Sequence, residues 1–124
     1  MATHTPAVAQ NFVPRERTLR RTTEAGTELR VYGYTRMETE CRPGEPPRIV
    51  LLHPPAHGTF ATRPGPSTIR EVREGTSAAC AGMTIPGIHV WYTPAPGYHG
   101  TDQFDWNVIT PAGTFHDTAV VEVK

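Results

Sequence analysis

No segment of the chain is apolar for long enough to span a membrane, and nowhere do apolar residues recur at helical spacing over three turns. There is no charge excess: 12 basic residues stand against 12 acidic ones, so no global field draws nucleic acid or an anionic membrane surface. Lysine is nearly missing, with Lys124 the sole example. The arginines are scattered except in the run Arg15-Glu16-Arg17-Thr18-Leu19-Arg20-Arg21, a local basic patch that reads as a solvated N-terminal segment before it reads as an anion site.

The catalytic signatures are missing too. Ser67 and Ser77 are the only serines, and neither lies in a GxSxG nucleophile elbow. HExxH, P-loop and GxGxxG patterns do not occur. Glu38, Glu40 and Glu45 lie near Cys41, but a glycosidase needs two carboxyls facing across a cleft, which a single thin sandwich rarely provides. The chain is therefore expected to be no enzyme, with no catalytic residue and no cofactor. Among the six histidines, His53 and His57 are four apart, but Pro54 and Pro55 forbid the helix that would align them. His89 is placed on the outer side of its strand, His99 on a loop, and His116 at the start of the last strand. Zinc and copper sites need three or four ligands at one point, so no metal ligand is assigned. A histidine-based metal-binding protein stays as a second alternative.

Two cysteines are present, Cys41 in "ECRPG" and Cys80 in "ACAGM", beside turn formers and without CxxC spacing. One disulfide is the favoured reading, two buried free thiols the other. A disulfide implies an oxidising compartment, secreted or periplasmic. "PAVAQ" has the small-residue spacing of a secretory cleavage site between Ala9 and Gln10, but "MATHTP" before it supplies no apolar core.

Proline and glycine make up about a fifth of the chain, which disfavours long helices. Between these breakers the pattern has period two, the signature of strands. "ELRVYGYTRM" (28–37) alternates Leu29 and Val31 against Arg30, Tyr32, Tyr34 and Arg36. "RIVLL" (48–52) is a short apolar run that reads as a strand buried on both sides, and "HPPAHGTF" as a turn. "STIREVRE" (67–74) reads as an edge strand or irregular loop. "GIHVWYTP" (87–94) puts Ile88, Val90 and Tyr92 on one face and His89, Trp91 and Thr93 on the other. "QFDWNVIT" (103–110) sets Phe104, Trp106 and Val108 opposite Gln103, Asp105 and Asn107, and "HDTAVVEV" (116–123) sets Ala119, Val121 and Val123 opposite Thr118, Val120 and Glu122. "TPAG" joins the last two as a hairpin. The expected fold is an all-β antiparallel sandwich.

Pro55-Ala56-His57-Gly58, then Tyr92-Thr93-Pro94, Gly97-Tyr98-His99-Gly100-Thr101-Asp102-Gln103-Phe104, Trp106, Val108, Gly113 and "AVVEV" follow one another in an order that resembles bacterial immunoglobulin-like and cadherin-like repeat modules. The resemblance covers a little over half the chain. It implies an immunoglobulin-like sandwich and a role in adhesion, scaffolding or carbohydrate contact. From the chain's length and its N-terminal sequence, residues 1–16 are expected to be a flexible segment and 17–124 a single domain. Calcium-binding relatives carry an Asp before the last hairpin's Gly. Here that segment is "ITPAG", so the ligand is missing. The cysteine pair is also unlike most such repeats and suggests a module that stands alone.

In "YTPAPGYHGTDQFDW" (92–106), Gly97, Tyr98, Gly100 and Asp102 are read as a structural corner, with Asp102 accepting backbone N–H bonds. The binding residues are placed at Trp91, His89, Tyr32 and Tyr34, as exposed aromatics and a histidine on a flat sheet face. The alternative is that these side chains cover their own sheet. The expected function is a non-catalytic, extracytoplasmic binding or adhesion module that contacts protein or carbohydrate. A structural component associating by strand augmentation is the alternative.

Overall fold

The computed structural model describes residues 15–69 and 80–124. Its strands are β1 (Glu16–Thr23), β2 (Leu29–Thr35), β3 (Arg48–His53), β4 (Gly58–Thr68), β5 (Thr84–Pro94), β6 (Gly100–Thr110) and β7 (Gly113–Val123). They form a four-stranded sheet in the order β1-β7-β6-β3 and a three-stranded sheet in the order β2-β5-β4. This sets 2-5-4 against 3-6-7 as in an immunoglobulin-like sandwich, with the first strand carried across to pair with the last. That β1–β7 pair is parallel, Leu19 lying beside Ala119, while the other pairs are antiparallel. The disulfide joins Cys41 to Cys80.

The period-two pattern builds the core. Phe104, Trp106 and Val108 of β6 and Ala119, Val121 and Val123 of β7 point inward, meeting Val31 and Tyr34 of β2 and Val90 and Tyr92 of β5. Tyr92 stacks on Phe104 with ring centroids 5.2 Å apart. Phe60 of β4 closes over Phe104 and Trp106, 6.0 Å from each.

Three elements depart from the sequence reading. The basic run keeps most of its side chains exposed, but it is a paired strand and no loose segment: it forms β1, with Leu19 and Thr23 turned inward. "RIVLL" is not buried on both sides. It is an edge strand whose Leu52 is 42% exposed, and among the described residues only β6 borders it. The segment after the "HPPAHG" turn is the eleven-residue strand β4. On the side of Tyr92, Val90, Ile88 and Pro86 it offers Phe60, Thr62, Pro64 and Pro66, of which only Phe60 is partly buried, so it lacks the apolar alternation that marks a strand. Ser67 and Thr68 end β4, and residues 70–74 of the predicted edge strand lie outside the described residues.

Candidate functional site

Of the predicted binding face, Trp91 alone lies on the outer side of its sheet without being buried. Tyr32 and Tyr34 point into the sandwich, the opposite of the alternation read from the sequence. The cause is a bulge: the β2–β5 register shifts between Arg30 and Tyr32, leaving Val31 unpaired. One extra residue flips every later side chain to the other face, so Val31, Tyr32 and Tyr34 all turn inward. There the Arg17 guanidinium lies 4.4 Å from the Tyr32 ring centroid and donates to Asp117 at 3.1 and 2.9 Å. Tyr34 donates its hydroxyl to Asp117 and receives the Trp106 indole N–H at 2.9 Å. Burial, then the Asp117 hydrogen bond, pushes the Tyr34 phenol far above its usual range.

His89 does lie on the outer side of β5, yet it is buried. Its ring lies over Gly33 and Gly65, where an added Cβ would stand 3.0 and 3.2 Å from ring atoms, and its Nε2 is 2.8 Å from Ser67 Oγ. That spacing is the distance of a nucleophile–base pair, but here it satisfies a covered imidazole on a flat sheet. Trp91 is half-buried, with the Arg63 guanidinium 4.8 Å from its ring centroid. Arg63 is in turn held by Glu28, whose carboxyl this hydrogen bond lowers. The aromatic is thus partly capped by its own neighbour.

The corner lies at the start of β6. Gly97 and Gly100 have φ of 79° and 137°, a region costly for any residue with a Cβ. Tyr98 stacks on His57 at 4.1 Å and donates its hydroxyl to the Thr101 carbonyl at 2.6 Å. Asp102 is buried and accepts the N–H groups of Ala56, His57 and Gln103, each at 3.0 Å, and the Tyr92 hydroxyl at 2.8 Å. Burial, then this bond, holds the Tyr92 phenol above its usual range.

A second polar chain crosses the outer face of the four-stranded sheet. His53 Nδ1 lies 2.8 Å from Asp105, His116 Nε2 lies 2.7 Å from the other Asp105 oxygen, and His116 Nδ1 lies 3.2 Å from Glu16. Among the described residues, no three His, Cys, Asp or Glu side chains are grouped so as to hold a metal ion. The hydrogen bond to Asp105, then that to Glu16, raises His116 above its ordinary 6.5. Burial works against the Asp105 charge, but the bonds to His116 and His53 outweigh it and lower that carboxyl below 3.8. The raised histidine adds stability that is complete below pH 6.5 and lost as pH rises through its folded value. The lowered carboxylate adds stability present above 3.8 and lost on acidification. Urea unfolding of the native chain and of His116→Gln should therefore differ most between about pH 4 and 6.5, and the gap should close toward pH 9. A gap that widens with rising pH would contradict this assignment.

The two flanks of the sandwich differ. Where β1 meets β2, arginines close the seam: Arg17 bridges Asp117 and Tyr32, and Arg21 Nε donates to the Val31 carbonyl of the bulge at 3.0 Å. The opposite flank, bordered by β3 and β4, is open at one end. A cleft of about 670 Å³ lies there, with Ile49, Ile88 and Ile109 in its walls and Arg36, Glu45 and Arg48 at its rim. Pro46, Pro47 and Pro111 bring the β2–β3 connection and the β6–β7 turn to the same place. Arg36 is pinned, donating to the Glu45 carbonyl at 2.8 Å. Arg48 has no ion-pair partner among the described residues. Of these residues only Glu45 was weighed as a candidate from the sequence, as an acid near Cys41, and none was read as part of a cleft. The available signal was "GEPPR", a proline-stiffened loop entering an apolar edge strand. Among the described residues, no helix is long and apolar enough to cross a membrane. Compared with known proteins, the chain matches no family, no curated protein and no solved structure.

Proposed function

We propose that this chain is a non-catalytic binding module of an extracytoplasmic compartment, and that it meets its protein or carbohydrate partner at the open β3/β4 flank. The observation that carries the reading is the asymmetry of the flanks. One seam is laced by partly buried, charge-assisted hydrogen bonds, and the other holds a cleft whose walls mix isoleucine and proline with threonine, and whose rim carries charged side chains. Apolar walls with a few fixed polar groups are the usual composition of a recognition site. The disulfide supports the compartment in this reading, since such bonds persist where the surroundings are oxidising. The motif order shared with bacterial immunoglobulin-like and cadherin-like modules supports an adhesive role of this kind.

Glycan and peptide arrays probed with three forms of the protein test the proposal. Thr62 lines the cleft from β4 and is exposed, so Thr62→Trp fills the space without touching the core. The expected result is a ligand bound by the native chain, weakened about tenfold or more by Thr62→Trp and within about twofold of native for Trp91→Ala. The reverse ranking would move the site to the Trp91 face. No ligand on any array would overturn the proposal.

A further inference from the structure

A sheet edge is a row of unpaired N–H and C=O groups, and proteins blunt such edges with charge, proline or bulges. β1 carries Glu16, Arg17, Arg20 and Arg21, and β2 has its bulge carbonyl capped by Arg21. β4 is blunted by proline. In an antiparallel pair, opposed residues alternate between exchanging both hydrogen bonds and exchanging none. Pro66 lies opposite Pro86, and neither has an N–H, so this pair must be of the second kind. The β4–β5 register runs without a shift, so every even-numbered residue of β4 turns its backbone groups to the free edge. Pro64 and Pro66 therefore delete two donors from that edge.

Among the described residues β3 has none of these devices along Ile49-Val50-Leu51: its charge, Arg48, stands at one end of this stretch and its bulge beyond Leu51 at the other, where the side chain of Leu52 is left in solvent. We infer that β3 is a self-association surface, on which β3 of a second copy adds antiparallel about a two-fold axis at Val50. This rests on reading the open flank as the interaction surface, and it names the occupant. Directly opposed residues in a sheet share a face, so the axis must pass through a residue and not between two. Centred on Val50, Ile49 meets the second copy's Leu51 on the inner face, where both lie beside the clefts. Arg48 meets the second copy's Leu52 on the outer face. The aliphatic stem of Arg48 then covers the exposed leucine, as long cationic side chains do. Its guanidinium points on toward the His53–Asp105 pair of the second copy, and Asp105 is a carboxylate. An unpaired cation at one end of the strand thus matches an acid at the other, and the two-fold uses the match twice. With 12 charges of each sign the copies do not repel.

An interface of one added strand is small, so the association is weak. Sedimentation velocity of the full chain from about 1 µM to about 1 mM should show the average mass rising toward twice that of the monomer. Leu52→Lys and Arg48→Glu, both at exposed positions, should raise the dimer dissociation constant about tenfold or more, with circular dichroism unchanged. A monomer throughout, or an association that both variants leave intact, overturns the inference. Array ligands lost on Thr62→Trp from a strictly monomeric chain would keep the binding proposal and refute this one. A β3 dimer with no array ligand would do the opposite.

Discussion

Replacing Asp102 by Ala should cost about 4 kcal/mol, enough to leave a domain of this size near the edge of folding. One buried carboxylate accepts four hydrogen bonds from three parts of the chain: its own strand β6, the β3–β4 connection at Ala56 and His57, and Tyr92 of the facing sheet. Alanine removes every acceptor at once. Ala56 and His57 are exposed, so their N–H groups can turn to water at modest cost. The Tyr92 hydroxyl belongs to a fully buried residue and cannot. A buried donor left unmade costs about 1–3 kcal/mol, and partial rescue by water brings the sum to the value above. Tyr92→Phe is the informative control, because it deletes one donor and leaves the carboxylate with three, at about 1 kcal/mol. Urea unfolding of both variants measures the contrast. An Asp102→Ala loss within about 1 kcal/mol of that for Tyr92→Phe would show that the corner does not depend on the carboxylate.

The corner was legible in the sequence because its causes are local. Gly97 and Gly100 mark backbone bends, Asp102 precedes a strand, and the alternation through Phe104 and Trp106 sets the inward face without reference to anything distant. The orientation of β2 was not legible, because it depends on a single inserted residue. Read as a regular strand, "LRVYGY" sends Tyr32 and Tyr34 outward. The bulge at Val31 reverses them, and what makes the bulge tolerable is Arg21, ten residues earlier, capping its carbonyl. Pairing between distant segments likewise hid the rest. β4 is a strand because β5 offers it eleven paired positions, although its own prolines argue against one. The cleft is a property of where two sheets end relative to each other, and no periodicity along one strand records that.

This also changes the meaning of the aromatic cluster. The sequence marks Trp91 as a ligand platform, but Arg63 and Glu28 already occupy its surroundings, whereas Tyr32 and Tyr34 serve the closed seam. The arginine-rich first strand acquires a role through the same seam: it holds one flank shut, and the proposed function places recognition on the other.

Removing the disulfide, by Cys41→Ser with Cys80→Ser, should lower stability by about 4 kcal/mol and the melting temperature by roughly 10–20 °C. The bond spans 39 residues of sequence, and in the chain-entropy description a loop of that length restricts the unfolded ensemble by this amount. The folded state offsets a part of this. Cys41 and Glu40 have φ of 59° and 61°, in the left-handed region that costs L-residues about 1–2 kcal/mol each. Short-range bonds, from the Glu38 N–H to the Arg42 carbonyl and from the Gly44 N–H to the Arg36 carbonyl, hold this turn together with the disulfide. Without the covalent tie, the turn can relax toward ordinary backbone, and the same connection carries Glu45, Pro46 and Pro47 into the cleft. Cleft binding should therefore weaken in the double variant even at temperatures where it remains folded. The double replacement is preferred to either single one, which would leave a reactive thiol beside a serine. Urea unfolding supplies two independent readings. The midpoint should fall, and the slope should rise, because an uncrosslinked chain exposes more surface on unfolding. A stability loss below about 1 kcal/mol, with an unchanged slope, would mean that the sandwich holds this end closed without the bond.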